Sequence, residues 1–426
     1  MQPTRPARLI VLSVDGMHPD FYRRPNELKS RLPNIEALAA AGASADAMES
    51  VYPSTTYPAH ATLVTGVLPC VHGIYSHLAS LDPTVAARPW HWFAQAIRVP
   101  TLWSAASARG LKTAAVSWPV SAGAPIDFNL PEIWDPAAPD PHQDFATVAR
   151  HATPGLFEEL ARALQNSLQT AGPDRMRGEA ALHLWREHHP DLLLVHFVDY
   201  DHQAHHGGPR SRQAIAALEE VDAEVGRLRE AASEDNSVII AVLSDHGFLP
   251  VEKEIAPLVI LREEGLFGSN GEGKPELRHL GTVHAGGSFA VFWLEAPTAA
   301  EQSALARGLE RLRGTGGVGE VIDRRKLESL GSDPDAEWMI DAGPGFCFSN
   351  RFEGPAVAGS AEDRGTHGHL PTRPGMEASF IIAGSGIARG KNLGHLKLTD
   401  VAPTLAGCLG MPPDALASDT EPLDLG

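Results

Sequence analysis

Three carboxylates, a set of histidines and a pair of threonines are the residues of this chain best suited to chemistry. The carboxylates are Asp15, Asp201 and Asp245, and each follows within a few residues of a long apolar run: RLIVLSV, DLLLVHFV and SVIIAVL. Asp201 and His205 stand four apart, so a helical or tightly turned segment sets both on one face, able to grip one ion. His202 and His206 repeat that spacing, although a solvated histidine-rich loop would show the same pattern. Asp245 and His246 are adjacent. Neighbours on an extended strand point opposite ways, so both reach one ion only where the chain turns, and Gly247 is expected to supply that turn. His367 and His369 lie in a glycine-flanked loop, GTHGHLP.

The hydroxyls sit in YPSTTYPAHATLVTGVLPCVHGI, from Tyr52 to Ile74. Thr55 and Thr56 precede a short helix expected from Ala59 to Gly66. A helix N-terminus carries unsatisfied N–H groups and partial positive charge, which favour an alkoxide or a phosphate oxygen there. Thr56 also fits a plain N-cap, because threonine caps well and proline is welcome in the first turn. From Glu49 to Ala87 there is no Lys or Arg, so no local side chain can neutralise an oxyanion beside Thr56.

The elements must bring these groups together. Apolar runs at Arg8–Val14, Asp191–Val198 and Ser237–Leu243 read as strands buried on both faces of a parallel sheet, whose carboxyl ends share one edge. A fourth strand is expected at Leu111–Val116 and another at Ala378–Ala383. Helices are expected at Pro33–Gly42, Leu156–Leu168, Ala180–His189, Arg210–Ala232 and Thr399–Leu409, and a Pro-rich loop runs from Trp118-Pro119 to about Pro141. Between about Pro250 and Asp363 the texture changes to glycine and polar loops, with a strand at Ser288–Leu294 and a helix at Thr298–Leu312. The expected division is a catalytic α/β core of residues 1–250 and 365–426, with an inserted cap of residues 251–364 over the site.

Carboxylates converging on one sheet edge repel one another unless cations sit between them. With His205, His246 and His367 they form a mixed nitrogen and oxygen ligand set, large enough for two ions and suited to zinc, with manganese the alternative. Two ions about 4 Å apart clamp the attacking and leaving oxygens of an in-line phosphoryl transfer. Thr56 then becomes a nucleophile that attacks phosphorus, giving a phospho-threonine that water later cleaves.

Composition narrows the substrate. The 426 residues carry a formal charge of -18, which argues against holding a nucleic acid polymer by its backbone. A small phosphate ester with its positive anchor inside the site is the expected partner. Three dispersed cysteines, Cys70, Cys347 and Cys408, offer no disulfide framework. The opening residues do not read as a signal peptide and no stretch is long enough to span a bilayer, so the expected setting is cytoplasmic, away from membranes.

LSVDG, PNIEALAAAG, PSTTYPAH with VTG and HGI, Asp201 with His205, SDHG, GTHG and TDVAPTLAGCLGMP resemble, in order, the motifs of the alkaline phosphatase superfamily. Within it they are most similar to the type I phosphodiesterase/nucleotide pyrophosphatase family. The resemblance covers nearly the whole chain except the cap. It implies a three-layer α/β sandwich with a mostly parallel central sheet. It further implies Thr56 as nucleophile, one zinc on Asp201, His205 and His367, and a second on Asp15, Thr56, Asp245 and His246. Tyr57 matches a position where the family often stacks an aromatic ring on a nucleobase, and Trp118-Pro119 matches a similar pair. Where the family usually places an asparagine that donates to a phosphate oxygen, this chain has His77.

The expected activity is therefore two-metal hydrolysis of phosphodiester or pyrophosphate bonds in nucleotide-like molecules. Three carboxylates against two divalent ions leave a small net charge that suits a diester better than a monoester. A monoesterase would want an added arginine, for which Arg88, Arg351 and Arg364 are the candidates. Phosphonoacetate hydrolase-like chemistry on the same fold is an alternative, although the lysines which that family uses are missing around Ser117-Trp118-Pro119. A non-catalytic metal-binding protein is the alternative of another class.

Overall fold

The computed structural model describes residues 7–85, 87–138, 144–165, 172–270, 274–359 and 363–426. The strand Arg8–Val14, buried at all seven positions, is the centre of an eight-stranded sheet. It pairs in parallel with Leu192–Phe197 on one side and Val238–Leu243 on the other. Beyond Leu192–Phe197 lie Thr113–Val116 and then Phe128–Leu130, also parallel. On the other side Phe380–Gly384 joins antiparallel, followed by the short strands Ala43–Ser44 and Lys391–Asn392. The β-branched run of the central strand suits a position covered on both faces.

Alternate residues of that strand feed two separate cores. Ile10, Leu12 and Val14 pack with the helices Pro33–Ala41, Pro173–His183 and Arg212–Ala232. Leu9 and Val11 pack with Thr56–Thr65, Leu102–Ser107 and Val401–Cys408 on the opposite face. The result is helix, sheet, helix, in three layers.

A second sheet is antiparallel, in the order Leu280–Ala285, Ser288–Trp293, Trp338–Ala342 and Val318–Asp323. Its apolar face packs on the helices Pro257–Glu263 and Ala299–Gly314. The strand Leu249–Ile255 runs across the expected core boundary at residue 250, pairing with Gly345–Phe348, Val357–Gly359 and Gly365–Thr366. Among the described residues no helix is long and apolar enough to cross a membrane.

Several element ends differ from expectation. The helix after Thr55 begins at Thr56, three residues early, because Pro58 is tolerated in a first turn whose N–H groups need no intrahelical partner. Thr55, not Thr56, is therefore the N-cap residue, and it makes no side-chain cap. The edge strand Phe128–Leu130 lies inside the segment read as a Pro-rich loop, too short to show periodicity. The helix at Leu156 runs to Ala163, and the expected end at 166–168 lies outside the described residues. The expected Ala180–His189 helix starts earlier, at Pro173, and finishes in a π-turn, Leu184–His188.

Candidate metal centre and nucleophile

The parallel strands deliver their carboxyl ends to one edge. Asp15 follows Val14 directly and its N–H donates to Phe197 O at 2.9 Å, which locks the ends of two strands together. The helix Asp199–Gly207 starts just beyond, with Asp201 in its first turn and His205 one turn later on the same face. Two ligand groups form: Asp15, Asp245 and His246, all buried, and Asp201, His205 and His367, half-buried. Six of the expected ligands, Asp15, Asp201, His205, Asp245, His246 and His367, thus fall in two adjacent clusters. His202 and His206 are exposed, with His206 Nδ1 2.9 Å from His202 O, and His369 is buried against Asp341; none belongs to either group.

The turn at Asp245 and His246 forms as expected, though not through Gly247. The bend falls at Asp245, and Gly247 has no left-handed backbone. Glycine is needed there because a Cβ would run into the carbonyl oxygen of Gly375. His367 is held from the second sheet. Gly287 N–H, at the tip of the hairpin joining Leu280–Ala285 to Ser288–Trp293, donates to His367 O at 2.7 Å. Gly368 is left-handed, with φ 91°, and its Cα packs where a Cβ would collide with Ala285 O.

The histidines are wired alike. Nδ1 of His205 lies 3.1 Å from Gly365 O, Nδ1 of His246 3.1 Å from Gly247 O and Nδ1 of His367 3.2 Å from Ser54 O. A carbonyl only accepts, so Nδ1 carries the proton in each and Nε2 presents a lone pair. Those lone pairs face carboxylates: His246 Nε2 lies 3.1 Å from Asp245 Oδ2 and 3.4 Å from Asp15 Oδ1, and His367 Nε2 lies 3.5 Å from Asp201 Oδ1. Asp15 Oδ1, Asp201 Oδ1, Asp245 Oδ2 and His246 Nε2 are buried with no hydrogen-bond partner. Acceptors turned on acceptors in a buried site leave the polar groups unsatisfied. A cation between them satisfies all of them, so the residues present fit metal.

Electrostatics point the same way. Burial and the neighbouring carboxylates of Asp245 and Asp201 push Asp15 well above the usual carboxylate range. Burial also acts on Asp245, but its neighbours, His246 and the charged His196 among them, outweigh it and hold Asp245 low. Burial, then His246 and His205, push His367 well below the usual imidazole range, so it is neutral.

Thr56 is the first residue of its helix, and its hydroxyl donates to Asp15 Oδ2 at 3.4 Å. Thr55, the other hydroxyl, is buried with Oγ1 unpartnered. The first turn is fixed by His60, whose Nδ1–H donates to Thr56 O at 2.8 Å while Nε2 accepts from Ser13 Oγ at 2.9 Å. Burial drives the His60 pKa down to about 3, keeping that arrangement neutral.

Three further residues support the site. His196 bridges Asp15 Oδ2, at 3.1 Å, and Glu132 Oε2, at 3.0 Å. Burial opposes its charge, but hydrogen bonds to the two carboxylates prevail and raise it to about 10. Glu132 in turn accepts from Tyr57 OH at 2.9 Å. A histidine inside the apolar run DLLLVHFV was a legible signal, whereas Glu132 in a loop carried none.

This network corrects the role expected of Tyr57. Its side chain is 0% exposed, and its ring meets Trp90 edge-on at 5.3 Å, so no face is open to a nucleobase. Half-buried Trp90 also lies 4.6 Å from His77. Burial, then His284, Arg88 and His91, lower His77 to about 3, so it is a neutral group near His367. Two of the arginines considered for the site are engaged elsewhere: Arg88 donates to Ser80 O and Thr282 O, and Arg351 holds Glu254.

Comparison with known proteins agrees with this architecture. The murine ectonucleotide pyrophosphatase/phosphodiesterase 5, an inactive variant in complex with AMP, superposes with a TM-score of 0.67 at 17% identity, covering 97% of each chain. The human protein of that name gives 0.68 at 17% identity, again over 97% of each chain. That likeness assigns an alkaline-phosphatase-like α/β fold. In sequence, mouse ectonucleotide pyrophosphatase/phosphodiesterase family member 3 is 30% identical over 252 residues, 56% of this chain and 24% of its own length. The venom phosphodiesterase of Macrovipera lebetinus is 25% identical over 405 residues, 90% of this chain and 41% of its own length. The chain thus spans a quarter to two fifths of these relatives. The family model described as type I phosphodiesterase/nucleotide pyrophosphatase matches residues 9–368, a span that runs from the central strand through His367. The two ligand groups and Thr56 fall inside that span, and the chain belongs to the type I phosphodiesterase/nucleotide pyrophosphatase family.

Proposed function

We propose that this chain hydrolyses phosphodiester or pyrophosphate bonds of small nucleotide-like molecules, with Thr56 as the nucleophile and two zinc ions as cofactors. Asp201, His205 and His367 would hold one ion, and Asp15, Asp245 and His246, with Thr56, the other. When bound, the metal would acidify a hydroxyl and neutralise charge developing on phosphoryl oxygens. The observation that carries this reading is the Thr56 hydroxyl on Asp15, at a helix N-terminus, beside two clusters of unsatisfied ligand atoms.

The chain's own residues do the rest. Asp15 Oδ2 orients Thr56 Oγ1 by accepting its hydrogen bond, and His60 holds the turn that carries it. As Oγ1 bonds to phosphorus its proton passes towards Asp15 Oδ2, and the leaving group's P–O bond breaks, the departing oxygen taking a proton from solvent. Water then adds to phosphorus, its proton returns to Oγ1 as the threonine ester breaks, and the phosphate product leaves. The N–H groups of the first helical turn, without intrahelical partners, favour the phosphoryl oxygens. Trp90, half-buried where Tyr57 is fully buried, and in edge contact with His77 and Trp134, is the aromatic residue that would meet a nucleobase. Residues 251–364 act as a cap that also braces the His367 loop.

The test is zinc-loaded protein with bis(4-nitrophenyl) phosphate, 4-nitrophenyl thymidine 5′-phosphate and 4-nitrophenyl phosphate. Faster turnover of the diesters is expected. A preference for the monoester would refute the diesterase reading, and no turnover of any of the three would leave only metal binding.

A further inference from the structure

Away from the catalytic edge, a third group of ligand atoms lies together: Glu159, His183 and His188. Nε2 of His183 and Nε2 of His188 each lie 2.7 Å from Glu159 Oε1. The place is the opposite end of the sheet. His188 O accepts from Lys112 Nζ at 3.0 Å and Asp191 N–H donates to Lys112 O at 2.7 Å, just before the strands Thr113–Val116 and Leu192–Phe197 begin. A six-residue strand, about 20 Å long, separates this end from the one bearing Asp15 and Asp201.

The backbone departs from regularity to make the group. His183 is the last residue of the α-helix Pro173–His183, and His188 ends the π-turn that follows. In a continuing α-helix, residues five apart would point about 140° away from each other. A turn closed from i to i+5 brings them onto one side, and such π-bulges recur at functional sites. His188 is further fixed by packing on Phe128, ring centroids 4.0 Å apart.

We propose that Glu159, His183 and His188 form a third metal site, separate from the catalytic groups, that takes a divalent transition ion such as zinc. Two imidazoles and one carboxylate are a donor set for zinc, cobalt, nickel or copper, not for magnesium or calcium. Each Nε2–H donates to Glu159 as the structure stands, but neither Nδ1 has a hydrogen-bond partner among the described residues, so the proton can pass to Nδ1 and turn an Nε2 lone pair on an ion that displaces it. The three side chains are 19%, 21% and 34% exposed, so they can open by the roughly 0.6 Å that tetrahedral coordination needs and leave a fourth position for water. His183 also borders an open cleft in which Glu179 and Glu187 stand among Arg162, Arg186 and Arg227, which gives an ion a path from solvent past groups of both signs. Such an ion would clasp the helix Leu156–Ala163 to the π-turn, and so hold the sheet's edge strand Phe128–Leu130 beneath His188.

The experiment compares metal content in the full chain and in two separate variants, His188→Asn and Glu159→Gln, after stripping and reloading with zinc or cobalt. Elemental analysis should find one equivalent per chain fewer in each variant, and the cobalt forms should lose part of their visible absorption. Because the count is a difference, it stands whatever the catalytic groups bind. Diester hydrolysis should be unchanged in both variants, which also reports that they fold. Equal metal content in parent and in folded variants would overturn the proposal, leaving a hydrogen-bonded trio. If one variant does not fold, the other decides by the same count.

Discussion

The rings of His246 and His367 lie face to face, 3.9 Å between centroids and 15° between planes, although each belongs to a different ligand group. Two imidazolium rings would not stack so closely, and His367 is held neutral by burial and by His246 and His205. The two groups therefore form one electrostatic unit. Replacing His367 by Ala is expected to weaken metal binding at both groups and to lower diester hydrolysis by more than about 100-fold, since even outer partners of metal ligands cost 10–100-fold. Metal titration by calorimetry checks it; loss confined to one equivalent with the other unaltered would count against a shared unit.

Thr56→Ala removes the hydroxyl on Asp15 while leaving the carboxylate and imidazole ligands in place. Metal content should fall little, and turnover should fall by about 1,000-fold or more, as expected when a nucleophile is lost. Thr56→Ser should recover part of it, and rapid quenching of the parent with a labelled diester should trap label on the protein. Undiminished turnover in the alanine variant would mean that water attacks directly.

Glu132→Gln tests the support of Asp15. The carboxylate helps to hold His196 charged, and His196 in turn donates to Asp15. The variant should lose 10–100-fold in metal affinity or in kcat, with KM changed less. Equal kcat and metal affinity in the two proteins would reduce Glu132 to packing.

Tyr57→Phe should leave the ranking of nucleotide substrates unchanged, since the ring is buried. It should lower stability by about 1–3 kcal/mol, the usual cost of leaving a buried acceptor, here Glu132, without its donor. Trp90→Ala should instead raise KM for nucleoside diesters and leave bis(4-nitrophenyl) phosphate nearly unaffected. A change of nucleotide ranking in Tyr57→Phe would restore the stacking role.

His72, outside both ligand groups, sets an acid limit. Ile74 N–H donates to its Nδ1 at 3.1 Å, so the proton sits on Nε2 and meets Thr62 Oγ1 at 3.0 Å. Burial lowers its pKa from 6.5 to about 3. The unfolded chain then binds a proton near pH 6.5 that the native one refuses, so this stability is present above pH 6.5 and is lost as pH falls towards 3. The loss is about 1.4 kcal/mol per pH unit for one group. In denaturant melts at pH 7, 6 and 5, His72→Gln should show a shallower decline than the parent; parallel declines would dismiss the residue as the cause.

The candidate site is legible because its three carboxylates follow the ends of apolar strands. A continuous apolar run followed by aspartate is visible in one dimension, and the parallel sheet turns three such runs into one edge. His205 and Asp201 were visible through helical spacing. The supports were not. Glu132 reaches His196 from a loop with no periodicity, and Trp90 enters from an irregular stretch punctuated by Pro83, Pro89 and Pro100. The motif position of Tyr57 says nothing of its burial: Trp92, Val120 and Ile133 arrive from elsewhere in the chain to cover it. His183 and His188 looked like part of one helix, and only a backbone irregularity invisible to spacing rules makes them meet.

The strand Arg8–Val14 sits in the middle of the sheet, yet both of its neighbours are encoded roughly 180 or more residues later. During synthesis this sticky segment emerges long before anything can flank it. Closing such distant pairings is slow and leaves greasy surface bare in the interim. Cells making this protein should therefore depend on holdase chaperones for yield, and slower translation after Leu243 should help little, because by then the missing partners have already appeared.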